Sequence, residues 1–300
     1  MKKVTIFGVG NIGARVAYFL ARSRDIARIR LVDIDPGRTR ATVLDFLESN
    51  VALQSKIMFA DYEEPKEMDQ SDVVIVASGV ENRVDASVPD PSATDIAKME
   101  EIAAQIGHFA PNAMVAVLSQ PAEVFCSVIA KNGYLDSRKV LGFPLLTYRE
   151  WFRDHIARLV GLSNEDVRIT TVRTLEGEEL VPTQCSVGGV PLPELMPDLA
   201  RLPAPPGPEV TAERLRYVHY APAAIVAEVT SELVSKRRQV ITAICPAGTN
   251  GAFVETKAVY GPQGFERPLE LDLSPSQRER HEAYRDRAQS VTASAGSGLR

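Results

Sequence analysis

Gly8, Gly10 and Gly13 fall in the run Gly-Val-Gly-Asn-Ile-Gly, directly after the short apolar stretch Val4 to Phe7 and ahead of a segment with helical periodicity. Glycines at these intervals let backbone N–H groups approach a diphosphate at a helix N-terminus, where the helix dipole favours negative charge. Asp33 closes the next apolar run, twenty residues beyond Gly13. A carboxylate there can accept hydrogen bonds from ribose hydroxyls. It would also repel an added phosphate on that ribose, so the pattern points to NAD rather than NADP. Gly8, Gly10, Asn11, Ile12, Gly13 and Asp33 are the expected cofactor contacts. A plain tight turn is the alternative; it accounts for the glycines but not for the strand, helix and acid that accompany them.

Those residues need a scaffold, and the first half of the chain has one. Apolar runs at Val4–Phe7, Ile29–Val32, Lys56–Ala60, Val73–Ala77, Met114–Leu118 and Val140–Gly142 read as strands. Helical segments at Ile12–Arg22, Arg38–Ser49, Ala93–Phe109 and Glu123–Asn132 separate them. Continuous apolar strands alternating with helices imply an α/β fold, a Rossmann-type doubly wound parallel sheet covered on both faces. After about Phe143 the texture changes. Tyr148–Leu159 reads as a helix, and Val167–Thr174 with Glu179–Val187 as an antiparallel pair around Glu176-Gly177. Thr211–Arg238 reads as a long helix with a break near Pro222. Val240–Cys245, Val254–Tyr260 and Glu266–Leu271 read as strands, followed by a charged helix from Ser276 to about Ser290. The expected division is a nucleotide domain over 1–143, a second α+β domain over 144–292, and a disordered Gly/Ser tail over 293–300.

Composition bounds the partners. The 300 residues are 45% apolar and 24% charged, with a formal net charge of −5, the balance of an ordinary soluble protein. No basic stripe suggests nucleic acid, and no apolar run is long enough to span a bilayer. The basic residues at Arg22–Arg30 and Arg278–Arg287 are interleaved with acids and apolar positions and read as solvated helix faces. Cys126, Cys185 and Cys245 are widely spaced and odd in number. They read as reduced thiols packed as small hydrophobes, with no metal-ligand spacing and a cytoplasmic location.

The order of segments resembles the L-lactate/L-malate dehydrogenase family over essentially the whole chain. VTIFGVGNIGARVAYFL is similar to the family's cofactor strand, turn and helix, and LVDID to its second strand. SDVVIVASGV is similar to the strand and loop that reach the nicotinamide. VLGFPLLTYREWFRDHIARLVGLSNEDV has the spacing of the domain crossover and the helix after it, and YAPAAIVAEV and LDLSPSQRERHE follow in register. The resemblance implies a small-molecule substrate, NAD as cofactor, and Ser78, Gly79 and Gln120 as further cofactor contacts. It also implies a homodimer or homotetramer, with the helix around Pro222 and the Arg38–Ser49 helix as subunit faces.

The catalytic positions depart from that family. Its proton-accepting histidine falls at Glu176, its orienting aspartate at Tyr148, and the arginine that clamps a substrate carboxylate at Trp151. Its two-arginine loop corresponds to Glu81–Asp95, which keeps only Arg83 and has Val88 near the second position. The asparagine beside the nicotinamide is Gln120. A glutamate serves as a base near neutral pH only if burial tunes it. An indole cannot make the bidentate grip of a guanidinium. An acid, a phenol and an indole instead suit a neutral or cationic substrate, held by charge pairing and cation–π contact; packing in a disused pocket is the competing reading. His219 is the second candidate for the proton relay, and His155 shares a helix face with Trp151. His108 and His281 are expected at the surface. Three functions remain open: an oxidoreductase acting on a non-2-oxo-acid alcohol or carbonyl, a silent NAD-holding subunit or sensor, and a non-redox enzyme that uses NAD for a transient oxidation.

Overall fold

The computed structural model describes residues 2–61, 68, 70–79, 91–145, 147–207, 210, 213, 219–235, 238–248 and 252–297. Six parallel strands open the chain: β1 (Lys2–Phe7), β2 (Ile26–Val32), β3 (Met58–Asp61), β4 (Val73–Val76), β5 (Met114–Val117) and β6 (Val140–Gly142). Helices α1 (Asn11–Leu20), α2 (Pro36–Leu53), α3 (Ala93–Phe109) and α4 (Ala122–Asn132) lie among them. The spatial order β3-β2-β1-β4-β5-β6 is that of a doubly wound nucleotide-binding sheet, with its direction of winding reversed between β1 and β4.

Alternation within each strand divides the core into two layers. Val4 and Ile6 of β1 and Ile75 of β4 join Val16 and Leu20 of α1. Phe7, Val74 and Val76 turn the other way, onto Met99 and Ile106 of α3 and Phe125 of α4. All four residues of β4 are buried, as a central strand covered on both faces requires. Helix α2 starts at Pro36 rather than at Arg38. Asp35 caps it by accepting from Gly37 N and Arg38 N at 2.9 and 3.2 Å, and proline is tolerated in a first turn because its missing donor has no partner there.

The second half contains α5 (Arg149–Val160), β7 (Val167–Arg168), β8 (Thr171–Thr174), β9 (Gly177–Leu180), β10 (Ser186–Val187), β11 (Val190–Pro191) and α6 (Leu192–Leu195). Then come α7 (Tyr220–Val234), β12 (Gln239–Cys245), β13 (Val254–Gly261), β14 (Gly264–Pro268) and α8 (Pro275–Ser297). The last three strands do not form a separate sheet. They continue the first one antiparallel, in the order β14-β13-β12-β6, joined through Ile244 opposite Gly142.

Two expectations are corrected, and a third is met in part. The antiparallel pair around Glu176-Gly177 is not one ribbon: β8 pairs with β9, and β7 with β10 in another sheet. The interruption falls where Thr170 N donates to Cys185 Sγ at 3.3 Å and Pro182 opens a short 3-10 turn. Of the segment read as a long helix broken near Pro222, α7 begins at Tyr220 after the non-helical His219, with Pro222 in its first turn; residues 211–212 and 214–218 lie outside the described residues. The closing helix runs to Ser297, so residues 293–297 of the Gly/Ser tail are helical; Val291 and Thr292 are buried and anchor that end. Among the described residues, no helix is long and apolar enough to cross a membrane, and the three cysteines are free and buried.

Candidate active site

The end of β1, the start of α1 and the end of β2 meet at Gly8. Gly8 N donates to Val32 O at 2.7 Å. Gly13 faces the Gly8 carbonyl so closely that a Cβ at Gly13 would lie 1.8 Å from it. The helix can approach the strand only without a side chain there. Val9 N donates to Asp33 Oδ2 at 2.7 Å, and Asp35 N to Asp33 Oδ1 at 3.1 Å. Each carboxylate oxygen keeps a second lone pair for a ribose hydroxyl. Gly10 caps α1 with no side-chain hydrogen bond, and the first turn carries no acid. Its N–H groups, with Asn11 and Ile12 at their head, are available to an anion. The Ile12 side chain itself is buried in the core.

The neighbouring strand ends complete the edge. A Cβ on Gly8 would meet the Ala77 carbonyl at 2.8 Å, so the β1 and β4 loops are in contact. Ser119 Oγ donates to Ser78 O at 2.6 Å, and Gly79 follows at positive φ. Gln120 Nε2 is held by Leu118 O and Phe143 O, both at 3.0 Å. The cofactor residues read from the sequence thus lie along one edge of the sheet, at the C-terminal ends of its parallel strands. The residues present fit NAD: a cradle closed to any Cβ, a helix N-terminus, and an acid fixed beside it.

Two of the other candidates, Tyr148 and Trp151, lie at the start of α5. Tyr148 is its N-cap residue but makes no side-chain cap bond. Its ring lies against Gly177, where an added Cβ would stand 3.2 Å from Cε2. The structure therefore brings Tyr148 to the turn that carries Glu176. Thr174 Oγ1 fastens that turn, donating to Gly177 O at 3.1 Å and accepting from Glu176 N at 3.2 Å. Glu176 itself is exposed, contrary to the burial that a proton-relay glutamate would need. Trp151 stacks on His155, with ring centroids 3.9 Å apart and planes 25° apart, and His155 Nδ1 lies 2.9 Å from Trp151 O. The helix-face reading of His155 is correct. His219 is 2% exposed, immediately before α7. Arg83 and Val88 fall outside the described residues.

Behind this face lies a charged cluster that the sequence did not suggest. Glu178 is buried in β9 and its Oε2 accepts from Thr147 Oγ1 at 2.8 Å, from Arg149 N at 3.0 Å and from Tyr148 N. Burial works against its charge, but Arg173 and Arg149 hold its carboxyl below the usual range. Arg173 pairs with Glu255 at 2.5 Å. Burial pushes Glu255 up to about 7 despite that guanidinium, and Glu178 nearby pushes the same way. Burial opposes the charge on Arg173 too, but Glu255 and Glu178 more than offset it. Tyr284 Oη donates to Glu123 Oε1 and accepts from Glu255 N, both at 2.9 Å. Burial raises the Glu123 carboxyl. His281 is half-buried rather than fully exposed: its Nδ1 lies 2.9 Å from Arg173 O, and burial lowers its pKa. The one sequence signal was Arg173 itself, a charge placed inside an otherwise uncharged short strand.

Comparison with known proteins agrees with this architecture. Residues 2–142 match the family model described as lactate/malate dehydrogenase, NAD binding domain. A malate dehydrogenase of Desulforudis audaxviator is 26% identical over 313 aligned positions, covering 99% of this chain and 98% of the relative. The crystal structure of Cryptosporidium parvum malate dehydrogenase superposes with a TM-score of 0.83 at 20% identity, over 99% of both chains. That of Plasmodium falciparum malate dehydrogenase in complex with NADH gives 0.79 at 18% identity, over the whole of both.

Proposed function

We propose that this chain, whose residues 2–142 match the NAD binding domain of the lactate/malate dehydrogenase family, binds NAD and is an oxidoreductase acting on an alcohol or carbonyl other than a 2-oxo acid. One observation carries the substrate half of this reading. Where the family resemblance calls for a carboxylate-clamping guanidinium, Trp151 presents an indole stacked on His155. An aromatic pair attracts neutral or cationic groups and offers nothing bidentate to a carboxylate.

Bound NAD would accept or supply the hydride. The first-turn amides of α1 would hold its diphosphate, and the free lone pairs of Asp33 its ribose. Ser78, Gly79 and Gln120 would border the nicotinamide end. Glu176 would take the hydroxyl proton once cofactor and substrate cover it; His219 is the second candidate for that step. The exposure of Glu176 favours a second reading, a silent NAD-holding subunit or sensor, because nothing in the described fold shields that acid from water.

The test is an NADH titration followed by turnover against amino alcohols, simple alcohols and their carbonyls, with pyruvate and oxaloacetate alongside. We expect tight binding, turnover of a neutral or cationic carbonyl, and little with the two oxo acids. Efficient oxaloacetate reduction would overturn the substrate reading. Binding without any turnover would favour the silent one.

We also propose a homodimer or homotetramer located in the cytoplasm. Leu44, Leu47 and Val51 of α2 are 60%, 45% and 83% exposed. A groove of about 930 Å³ runs from α1 and α2 to Tyr220 at the start of α7. Light scattering at micromolar concentration would show a monomer if this is wrong.

A further inference from the structure

We infer that Glu178 is a positioning residue for the candidate substrate face. It would set the start of α5, and with it Tyr148 and Trp151, against the Glu176–Gly177 turn. Three observations carry this.

The first is a missing cap. A helix needs acceptors for its leading N–H groups, and a Ser, Thr, Asp or Asn at the N-cap commonly supplies one. Tyr148 occupies that position in α5 and supplies none. The second is the substitute. Glu178 Oε2, from β9 thirty residues away, takes the amides of Tyr148 and Arg149 together with the Thr147 hydroxyl. A buried carboxylate at a helix N-terminus gains from the dipole as well as from charge-assisted hydrogen bonds. The third is the contact on the far side. The Tyr148 ring rests on Gly177, the residue directly before Glu178. One dipeptide of β9 therefore grips Tyr148 twice, by its backbone and by its ring. Trp151 follows within the same helical turn, so its position depends on the same anchor. Arg173 and Arg149 keep Glu178 ionised, which keeps the anchor an acceptor only.

The inference rests on the proposed function for the claim that this face meets substrate, but the geometry can be tested without a substrate. Trp151 is the sole tryptophan of the chain, so intrinsic fluorescence reads the start of α5 alone. The experiment measures acrylamide quenching of Trp151 in the full-length protein and in Glu178→Gln, Glu178→Asp and Glu178→Ala. Far-UV circular dichroism monitors folding, and NADH titration monitors the cradle. Glu178→Gln keeps the reach and loses the charge; Glu178→Asp keeps the charge and loses the reach. We expect both to raise the quenching constant at least twofold while NADH affinity stays within twofold. Glu178→Ala should do more, and if it fails to fold the other two still decide. A quenching constant within about 20% of the parent in folded Glu178→Gln and Glu178→Asp would overturn the inference. So would an equal loss of NADH affinity and Trp151 protection, which marks a general structural role. If the parent protein itself fails to bind NADH, the functional reading falls on its own, because quenching is measured without the nucleotide.

Discussion

In the β1–α1–β2 unit the decisive contacts are local: Val9 N reaches Asp33 Oδ2 across 24 residues, and Gly13 meets Gly8 across one turn of chain. At the α5 face and the cluster behind it the separations grow longer. Glu178 holds Tyr148 N across 30 residues, Arg173 pairs with Glu255 across 82, and Tyr284 reaches Glu123 across 161. The cradle depends on small residues and backbone donors, so its failure mode is steric. The α5 face depends on buried charge, so its failure mode is an ion left without a partner. Substitutions in the two regions should therefore fail by different routes, and the expected effects can be ranked.

The largest should come from Arg173→Met. Arg173 is the cation shared by Glu255 and Glu178, all three nearly excluded from water. Deleting one member of a buried ionic group costs about 3–5 kcal/mol, because the remaining charge is left desolvated. Urea unfolding should show that loss, and Arg173→Met/Glu255→Met should recover much of it, since an apolar pair of similar volume is often tolerated. A single-variant cost below about 1 kcal/mol would mean the cluster carries less charge than its geometry implies.

Gly13→Ala should come next. A methyl 1.8 Å from the Gly8 carbonyl forces α1 away from β1. Overpacking of this kind costs roughly 1–3 kcal/mol. NADH affinity should fall further than stability does, by about a hundredfold, because the amides of the first turn move with the helix. A milder cut is Asp33→Asn, which keeps the shape and removes the charge. NADH should bind about tenfold more weakly, near 1.4 kcal/mol in a charge-assisted contact, and the gap between NADH and NADPH should narrow. Unchanged discrimination would show that Asp33 does not face the ribose.

The same contrast explains what was readable in advance. The turn formed by Gly8, Gly10 and Gly13 and the placing of Asp33 beside it were legible because strand, glycine spacing, helix and acid occur together, and the parallel strands because burial on both faces leaves an unbroken apolar run such as Val73–Val76. Resemblance put Tyr148 at the position that orients residue 176, and its ring lies against the adjoining Gly177. Glu178, Glu255, Glu123 and His281 were not legible. Each is an ordinary polar residue in its own segment and acquires its partner only when distant strands and α8 pack together. The split of the antiparallel pair at Thr170 was missed for a related reason: Cys185 takes a backbone donor that pattern alone assigns to a strand neighbour.

Glu255→Gln should give the smallest effect, and it bears most directly on how one guanidinium is divided between two acids. Burial raises the Glu255 carboxyl from 4.5 to about 7. The folded state thus binds a proton more tightly than the unfolded chain does. Its stabilisation is complete below about pH 4.5 and is lost as pH climbs toward 7. Glu178 has the opposite sign: held below the usual range, its contribution is present at neutral pH and lost only on acidification. Glu123, raised by burial, shares the direction of Glu255, while His281, lowered by burial, opposes it. The parent profile therefore sums several groups, but subtracting the variant removes those that the two proteins share. Gln keeps the volume and an acceptor for Arg173 and cannot titrate. Between pH 5 and pH 7.5 the thermal midpoint of the parent should fall by several degrees relative to Glu255→Gln. Parallel calorimetric profiles would mean that Glu255 is already ionised beside Arg173 at pH 5. In that case pairing would outweigh burial at this site, and both acids would draw on Arg173 equally.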